Sequence, residues 1–440
     1  MRHPNAQLAV FSIMTALCGV TLGQRQSASS NAVNDAPANG GVRQLVYDVQ
    51  GVWGREYFFQ RVPNFVETHW SDIYVQNGLN LKPERVVLAG QDPQWSADGR
   101  KIAFLGFSTT PLFSGMGEHF ESRQVQVMNA DGSARVSISH VPAGVWDFAW
   151  SPVEQKIAYC EQSEDGRTAI IVINADGSNR TEVTKMGSVQ CAAGRPVLKT
   201  QVQADEKEML GKSVRGGNAV ILAEATLNHH KSLETAWGQI TGVPTLDWSP
   251  DGKRIAFTSI SSGTAVIGVV GMTGENPKLV AKGYAARWSP DGKRLLLRHD
   301  SETNPPITSI WIANADGTAP RKVLDNEAAD FGLRWFPDGK SIVFASEREH
   351  KDHAEVFRVN VDGTGLQKIA TARDYAFASP VVSPDGTKLI VEAHAPWTYD
   401  GSQGDSSLWL IDLSNHRQER LAKGGSHSSV VWENPSVLSH

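Results

Sequence analysis

Residues 245–257 read TLDWSPDGKRIAF, and residues 285–297 repeat the pattern as AARWSPDGKRLLL. Each segment is a short strand that ends in tryptophan, followed by a turn and a second, apolar strand. The Asp-Gly pair suits a tight turn because glycine adopts positive φ readily and aspartate can bond its own backbone. Both segments are therefore predicted to form β-hairpins.

The same hairpin recurs along the chain, and a second hairpin follows each copy. One of these second hairpins is ITSIWIANADGTAPRKVL at residues 307–324, which also turns on Asp-Gly. Each unit is thus predicted to be a four-stranded meander with strands a to d. The other first hairpins are DPQWSADGRKIAF at 92–104, DFAWSPVEQKIAY at 147–159, GLRWFPDGKSIVF at 332–344 and SPVVSPDGTKLIV at 379–391, with a truncated SVVW at 429–432.

Radial packing around an axis lets such sheets bury both faces, which a single sheet cannot do. The pattern therefore predicts an all-β chain folded as a seven-bladed β-propeller of four-stranded antiparallel blades. The closing blade is predicted to combine residues 429–432 as strand a with residues 55–89 as strands b, c and d. Within that range, REYFF at 55–59 is the predicted strand b.

One interval in the repeat is about twice as long as the others. It lies between Trp150 and Trp248 and contains residues 185–244. We interpret these residues as an insertion in a seven-bladed ring. The alternative is a degenerate eighth blade.

The N-terminal residues have the composition of an export signal. Arg2 and His3 precede an apolar stretch from Leu8 to Leu22, which suits a signal peptide and is too short for a comfortable membrane span. The following residues are polar and show no periodicity, as in a flexible linker. The predicted organisation is a signal peptide at 1–23, a disordered linker at 24–42 and one propeller domain at 43–440.

Export would place the mature chain in a periplasm or outside the cell, with no membrane span. A lipoprotein anchored through Cys18 is less favoured because Leu17 stands where a small residue is expected. The net charge of −5 argues against a nucleic-acid binder, which needs a basic face. Two cysteines remain after the signal, Cys160 and Cys191, and an oxidising compartment permits a disulfide between them. Two free thiols are the alternative.

The segments WSPDGKRIAF at 248–257 and NADG at 314–317 resemble the propeller of TolB and its relatives, a WD-type repeat. The resemblance implies an envelope protein that serves as a platform for protein interactions. TolB carries an N-terminal α/β domain that residues 43–90 are too short to form. Peptidases of the prolyl oligopeptidase type share the repeat, but they need a Gly-x-Ser-x-Gly elbow, and this sequence contains none.

Sequence variation is concentrated on one face of the predicted ring. The a–b and c–d turns are short and repetitive, whereas the b–c and d–a loops on the opposite face differ in length, and variable loops on a rigid scaffold commonly bind ligands. These loops are residues 105–123, 139–146, 185–244, 259–263, 299–306, 346–353, 393–405 and 423–428.

Three groups of residues are candidates for binding. The residues preceding the pivot position at the end of strand a line the predicted channel, where two arginines beside an aspartate could bind a carboxylate or simply pair between blades. Histidines of three successive b–c loops could hold a metal or act as acid and base, or could be ordinary loop residues. The candidates are Gln94, Asp247, Arg287 and Arg334 in the channel, His299, His350, His353 and His394 with Glu347 in the loops, and the loop-face tryptophans Trp70, Trp146, Trp237 and Trp397.

These observations predict a non-enzymatic, monomeric scaffold in the cell envelope that binds a protein or peptide partner through its loops. No cofactor, metal or nucleic acid is expected. The alternative is a propeller enzyme of the lyase, lactonase or hydrolase type. Its site would be the histidine-rich, metal-dependent mouth of the channel.

Overall fold

A computed structural model describes most of the repeat region. The described residues are 42–51, 70–78, 82–87, 90–107, 123–141, 144–162, 168–185, 246–261, 264–272, 274, 277–300, 308–325, 330–350, 353–395 and 406–432. Within these ranges the chain forms strands, turns and bends but no helix, so no segment of them is a helix that could cross a membrane. Residues 1–41 and 186–245, which hold the predicted signal peptide, nearly all of the linker and most of the insertion, lie outside the described part.

The strands form seven antiparallel sheets of four, and each sheet is one blade with its strands in the order a, b, c, d. Blade 1 is β28 (Gly425–Trp432), β1 (Val42–Gly51), β2 (Trp70–Gln76) and β3 (Glu84–Val87); blade 2 is β4 (Gly90–Trp95), β5 (Lys101–Phe107), β6 (Arg123–Asn129) and β7 (Val136–Ser137); blade 3 is β8 (Val145–Trp150), β9 (Lys156–Gln162), β10 (Thr168–Asn174) and β11 (Thr181–Glu182). Blade 4 is β12 (Leu246–Trp248), β13 (Arg254–Ser261), β14 (Thr264–Gly271) and β15 (Lys278–Lys282); blade 5 is β16 (Tyr284–Trp288), β17 (Arg294–Asp300), β18 (Thr308–Asn314) and β19 (Arg321–Asp325). Blade 6 is β20 (Asp330–Trp335), β21 (Ser341–Ser346), β22 (Glu355–Asn360) and β23 (Gln367–Ala370); blade 7 is β24 (Ala376–Val382), β25 (Lys388–His394), β26 (Ser406–Asp412) and β27 (Gln418–Lys423).

The arrangement confirms the predicted seven-bladed propeller. Strands of each blade contact the next blade in chain order, and blade 7 contacts β28 of blade 1, so the ring is closed.

The ring closes between the two ends of the described chain. β28 runs antiparallel to β1, with Val430 opposite Leu45. Strand b of the closing blade is therefore Val42–Gly51, and its predicted placement at residues 55–59 is wrong. Those five residues lie outside the described part. No tight turn links β28 to β1, so the closing blade lacks the Asp-Gly signal that marks strand b in most other blades.

The pivot tryptophans pack between neighbouring blades. Trp95, Trp150, Trp248, Trp288 and Trp335 are all at most 8% exposed. In blades 4 to 6 the indole also donates a hydrogen bond to strand a of the preceding blade. The bonds run from Trp248 Nε1 to Ala149 O at 3.0 Å, from Trp288 Nε1 to Asp247 O at 3.1 Å and from Trp335 Nε1 to Arg287 O at 3.1 Å.

Arginines reinforce two of these blade contacts. The guanidinium of Arg254 lies 4.4 Å from the ring centroid of Trp288 and donates to Gly292 O at 2.8 Å. Arg294 stacks on Trp335 in the same way, at 4.9 Å. Each such arginine thus joins the tryptophan and the a–b turn of the next blade through a cation–π contact and a hydrogen bond.

The a–b turns are closed by their own side chains. In blade 4, Ser249 Oγ donates to Asp251 Oδ1 at 2.5 Å and accepts from Arg254 N at 2.9 Å. Gly252 has φ +67°, a conformation that favours glycine. The turn therefore makes these hydrogen bonds among its own residues.

Candidate functional site

The two ends of the propeller differ in construction. Each strand a begins at a d–a loop and ends at an a–b turn. The loops therefore gather at one end of the ring, which we call the loop face, and the turns gather at the other, the turn face. Strand a is the first strand of every sheet and lines the central channel.

The channel residues before the pivots link adjacent blades. Gln94 Nε2 donates to Phe148 O at 3.0 Å, and Gln94 Oε1 accepts from Trp150 N at 3.3 Å. Asp247 Oδ2 accepts from Trp288 N at 2.8 Å in the same way. Both side chains therefore hold the next strand a in register, which is a structural role.

Arg287 and Asp247 form an ion pair between blades 5 and 4. Arg287 Nη1 lies 3.1 Å from Asp247 Oδ1, with the two side chains 13% and 24% exposed. The structure thus brings these two candidate residues together, as the interblade-pairing interpretation expects.

Arg334 on blade 6 is held differently. Its guanidinium is partly buried and donates one hydrogen bond among the described residues, from Nη1 to Leu333 O at 3.1 Å. Burial lowers the pKa of Arg334 and the neighbouring Arg287 lowers it further, whereas Asp247 and Glu392 act in the opposite direction. A second cation therefore lies beside the Arg287–Asp247 pair, and no carboxylate in the described part of the chain is hydrogen-bonded to it.

The four predicted loop-face histidines lie on three blades with separate neighbours. On blade 5, His299 lies 6.5 Å from Trp311, centroid to centroid, and on blade 7, His394 Nε2 lies 3.7 Å from Glu392 Oε2. On blade 6, the rings of His350 and His353 meet edge to face at 6.1 Å.

A cluster on the b–c side of blade 6 brings three possible metal ligands together. Glu349, His350 and Glu355 each offer a ligand atom within 4.8 Å of the others, and they are the one such group among the residues described. Lys368 on β23 bridges the two carboxylates. Burial acts to raise the pKa of Glu355, but the nearby Thr371 hydroxyl and Lys368 outweigh it, and the pKa is lowered. The sequence prediction included His350 but neither glutamate.

A buried ion pair lies beside this cluster and was also not predicted. Arg348 Nη2 lies 3.1 Å from Asp330 Oδ1, and the Asp330 side chain is fully buried at the start of β20. Arg348 also stacks on Phe344 and Phe357, at 4.7 and 4.6 Å. The sequence does place Asp330 at the start of a strand a, and a charge buried there requires a partner. This was the one indication of the ion pair.

The remaining candidates are only partly covered by the described residues. Trp70 and Trp146 lie in β2 and β8, with their side chains undescribed, and Trp237 and Trp397 fall outside the described ranges. Cys160 at the loop-face end of β9 is disulfide-bonded. Its predicted partner Cys191 is also outside these ranges, so the pairing stays a prediction.

Comparison with known proteins supports the repeat assignment. Residues 238–429 match the TolB beta propeller domain. Over 94 residues the chain is 30% identical to the uncharacterized peptidase YuxL of Bacillus subtilis, and the match spans 21% of this chain and 14% of that relative.

Two solved structures have similar folds. The β-propeller domain of the Trilobed protease from Pyrococcus furiosus, which has an open velcro topology, is 12% identical with a TM-score of 0.50, covering 86% of this chain and 94% of that one. A puromycin-hydrolyzing peptidase of Mycobacterium tuberculosis is 12% identical with a TM-score of 0.51, covering 81% of this chain and 49% of that one. At this identity the likeness concerns the fold alone. Residues 238–429 thus match the TolB beta propeller domain, and the seven four-stranded blades give the chain a fold similar to that of TolB-like β-propellers.

Proposed function

We propose that this propeller is an exported scaffold that binds a protein or peptide partner in the cell envelope, without catalysing a reaction. The partner contacts the loop face and inserts a carboxylate, from its C-terminus or an acidic side chain, into the channel at Arg334 and Arg287. The predicted signal peptide at residues 1–23 supports the location.

The observation that carries the proposal is that Arg334 uses few of its hydrogen-bond donors. A guanidinium has five N–H donors in a planar fork that matches a carboxylate. Within the described ranges, Arg334 uses one donor on the backbone carbonyl of Leu333, and the residue is partly buried. A second guanidinium, Arg287, stands beside it and adds positive charge. An incoming carboxylate would relieve the repulsion between the two cations.

A partner seated on the loop face would reach this point by passing down the channel, because Arg334 lies one residue before the turn-face end of β20. Asp330 begins β20, and Arg334 lies four residues further along it. At about 3.3 Å per residue, the arginine lies roughly 13 Å below the loop face. An inserted extended segment of about four residues spans this depth.

The turn face is less suited to a selective interaction. Its Asp-Gly turns repeat the same internal hydrogen bonds, as in Ser249–Asp251 and Ser289–Asp291. The loops of the opposite face differ in length and charge, and the b–c loop of blade 6 is held at its start by the buried Asp330–Arg348 ion pair. Variable loops on fixed supports favour binding.

The enzyme alternative receives less support from the geometry. It requires His299, His350, His353 and His394 to converge, whereas they lie on three blades beside different neighbours. The scaffold is therefore the function we favour.

The first test is capture of a partner from the envelope fraction. Tagged wild-type protein is compared with Arg334→Met, which keeps the length of the side chain and removes its charge. The control is Arg85→Met, because Arg85 pairs with Asp72 on the outer strands of blade 1, away from the channel. We expect one specific partner to be captured by the wild type and by the control and to be lost from the Arg334 variant.

The second test examines the carboxylate itself. Peptides from the partner are titrated calorimetrically with a free or an amidated C-terminus, and with acidic residues changed to their amides. Removing the inserted carboxylate should weaken binding at least tenfold for the wild type and leave binding to the Arg334→Met protein unchanged. Equal affinities for all peptides would exclude the channel as the anchor, and a wild-type protein that captures no specific partner would contradict the scaffold.

A further inference from the structure

The cluster on blade 6 has its charged groups fixed at the end of two strands. Glu355 is the first residue of β22, and Lys368 lies on the neighbouring β23. Glu349 and His350 come from the b–c loop that begins after Ser346. That loop is held at its start because Arg348 N donates to Ser346 Oγ at 3.3 Å and Arg348 pairs with Asp330. The three candidate ligands are therefore positioned by strands and by an anchored loop.

One buried carboxylate oxygen of Glu355 lacks a hydrogen-bond donor among the described residues of this cluster. The side chain is 2% exposed, and its Oε2 accepts no hydrogen bond from any residue that the structure describes. A buried carboxylate oxygen without a donor is costly, and a cation placed beside it offsets that cost. His350 offers Nδ1 at 3.6 Å from this oxygen.

The distances are close to those of a metal site. Ligand atoms around a tetrahedral Zn²⁺ ion, with bonds of about 2.0–2.1 Å, lie roughly 3.4 Å apart. The Nδ1–Oε2 separation is therefore nearly correct already. Glu349 is 45% exposed on its side chain, so a small rotation can bring its carboxylate into place.

Lys368 shows that the two carboxylates already share a cation. Its Nζ lies 2.5 Å from Glu349 Oε2 and 3.1 Å from Glu355 Oε1. The ammonium contacts one oxygen of each glutamate. It therefore holds the carboxylates together and also competes with any second cation.

We propose that Glu349, His350 and Glu355 form a binding site for a divalent transition metal, with Zn²⁺ as the best-matched ion. Two carboxylate oxygens and one imidazole nitrogen are ligands that Zn²⁺ accepts, and a three-residue set leaves the fourth position to solvent or to a ligand. His350 is 61% exposed, so the ion can enter from solvent. The proposal does not depend on the scaffold function.

The test is calorimetric titration of the tag-free full chain with Zn²⁺ after chelator treatment. Because the chain has 13 histidines, the difference between variants is measured rather than total uptake. His350→Ala and Glu349→Gln change exposed side chains and should weaken the tightest site at least tenfold. Lys368→Met should tighten it, because the competing ammonium is removed.

The matched control is His394→Ala. His394 also lies beside a buried glutamate, Glu392, at 3.7 Å, but it belongs to no group of three ligands among the described residues. This variant should bind Zn²⁺ as the wild type does. Co²⁺ added in place of Zn²⁺ should give a visible d–d absorption band in the wild type that His350→Ala loses. The proposal is overturned if His350→Ala keeps the wild-type affinity, or if Lys368→Met and the wild type both lack a saturable site.

Discussion

At position 335 a single tryptophan makes three kinds of contact with its surroundings. The ring is buried between blades, Nε1 donates to Arg287 O, and Arg294 covers the ring face. Trp150 occupies the equivalent place in blade 3 and is equally buried, but its Nε1 has no hydrogen-bond partner within the described ranges. The two residues therefore separate the contribution of the indole N–H from that of the buried ring.

We expect Trp335→Phe to be more destabilising than Trp150→Phe by about 1–2 kcal/mol. Both changes remove a similar volume, but the first also removes a hydrogen bond and weakens the cation–π contact. The second removes a buried donor that has no acceptor among the described residues. Urea unfolding of both variants and the wild type measures the difference. Equal losses would show that the indole N–H contributes nothing to blade packing.

At the scale of the element, the a–b turn depends on the charge of its aspartate. The hydrogen bond from Ser249 lowers the pKa of Asp251 below its ordinary value of 3.8, with smaller contributions from Lys253 N and from burial, which acts in the opposite direction. A pKa lowered by folding means that the carboxylate stabilises the fold. That stabilisation is complete above the ordinary value and is lost as the pH falls through the lowered one.

Asp251→Asn keeps an oxygen acceptor for Ser249 and Lys253 but removes the charge. We expect the variant to be less stable than the wild type at pH 7, with the difference disappearing as the pH falls below 3.8. The denaturant midpoints of unfolding of the variant and the wild type, measured at pH 7, 4 and 3, show how the difference in stability changes with pH. Asp338→Asn is the control, because Phe336 replaces the serine in that turn. A difference as large at pH 3 as at pH 7 would contradict the electrostatic explanation.

The elements themselves could be predicted where a turn signal marked them. The segment at 245–257 predicted β12, its turn and β13, because Asp-Gly fixes the hairpin and apolar residues fill the strands. β1 was misplaced because no such turn precedes it. The REYFF segment at 55–59 is more apolar than Val42–Gly51 and favoured the wrong prediction, although Leu45, Val46 and Tyr47 are buried in the closing blade.

The candidate site was less predictable than the strands. Pairing between blades was one of two interpretations of Arg287 and Asp247, because both precede a pivot in adjacent repeats. The cluster of Glu349, Glu355 and Lys368 was not foreseen. Its members come from a loop and two outer strands, and only the strand register brings them together. Side-chain proximity across strands has no marker in a single sequence.

At the scale of the whole molecule, stability depends on the pairing of β28 with β1. Ending the chain after Gly424 deletes β28 and leaves an edge on β1 and an uncovered side on blade 2. We expect the midpoint of thermal unfolding to fall by about 10 °C or more and the protein to aggregate on heating. Calorimetry and light scattering measure both effects.

The control for this truncation ends after Trp432 and keeps the whole of β28. It should unfold as the full chain does. If both truncations unfold alike, the ring does not need its closing strand, and the blades are held by their lateral packing alone.

The pairing of the last strand with the first also determines when the molecule can be completed during its synthesis. β1 leaves the ribosome before the other described strands, whereas β28 emerges after all of them. Until then β1 has backbone groups on one edge that no neighbouring strand satisfies, and such edges pair readily with other chains. A nascent chain therefore needs its β1 edge shielded until β28 has been synthesised. A chain released before that point keeps an unpaired strand edge on β1, which quality-control proteases can recognise.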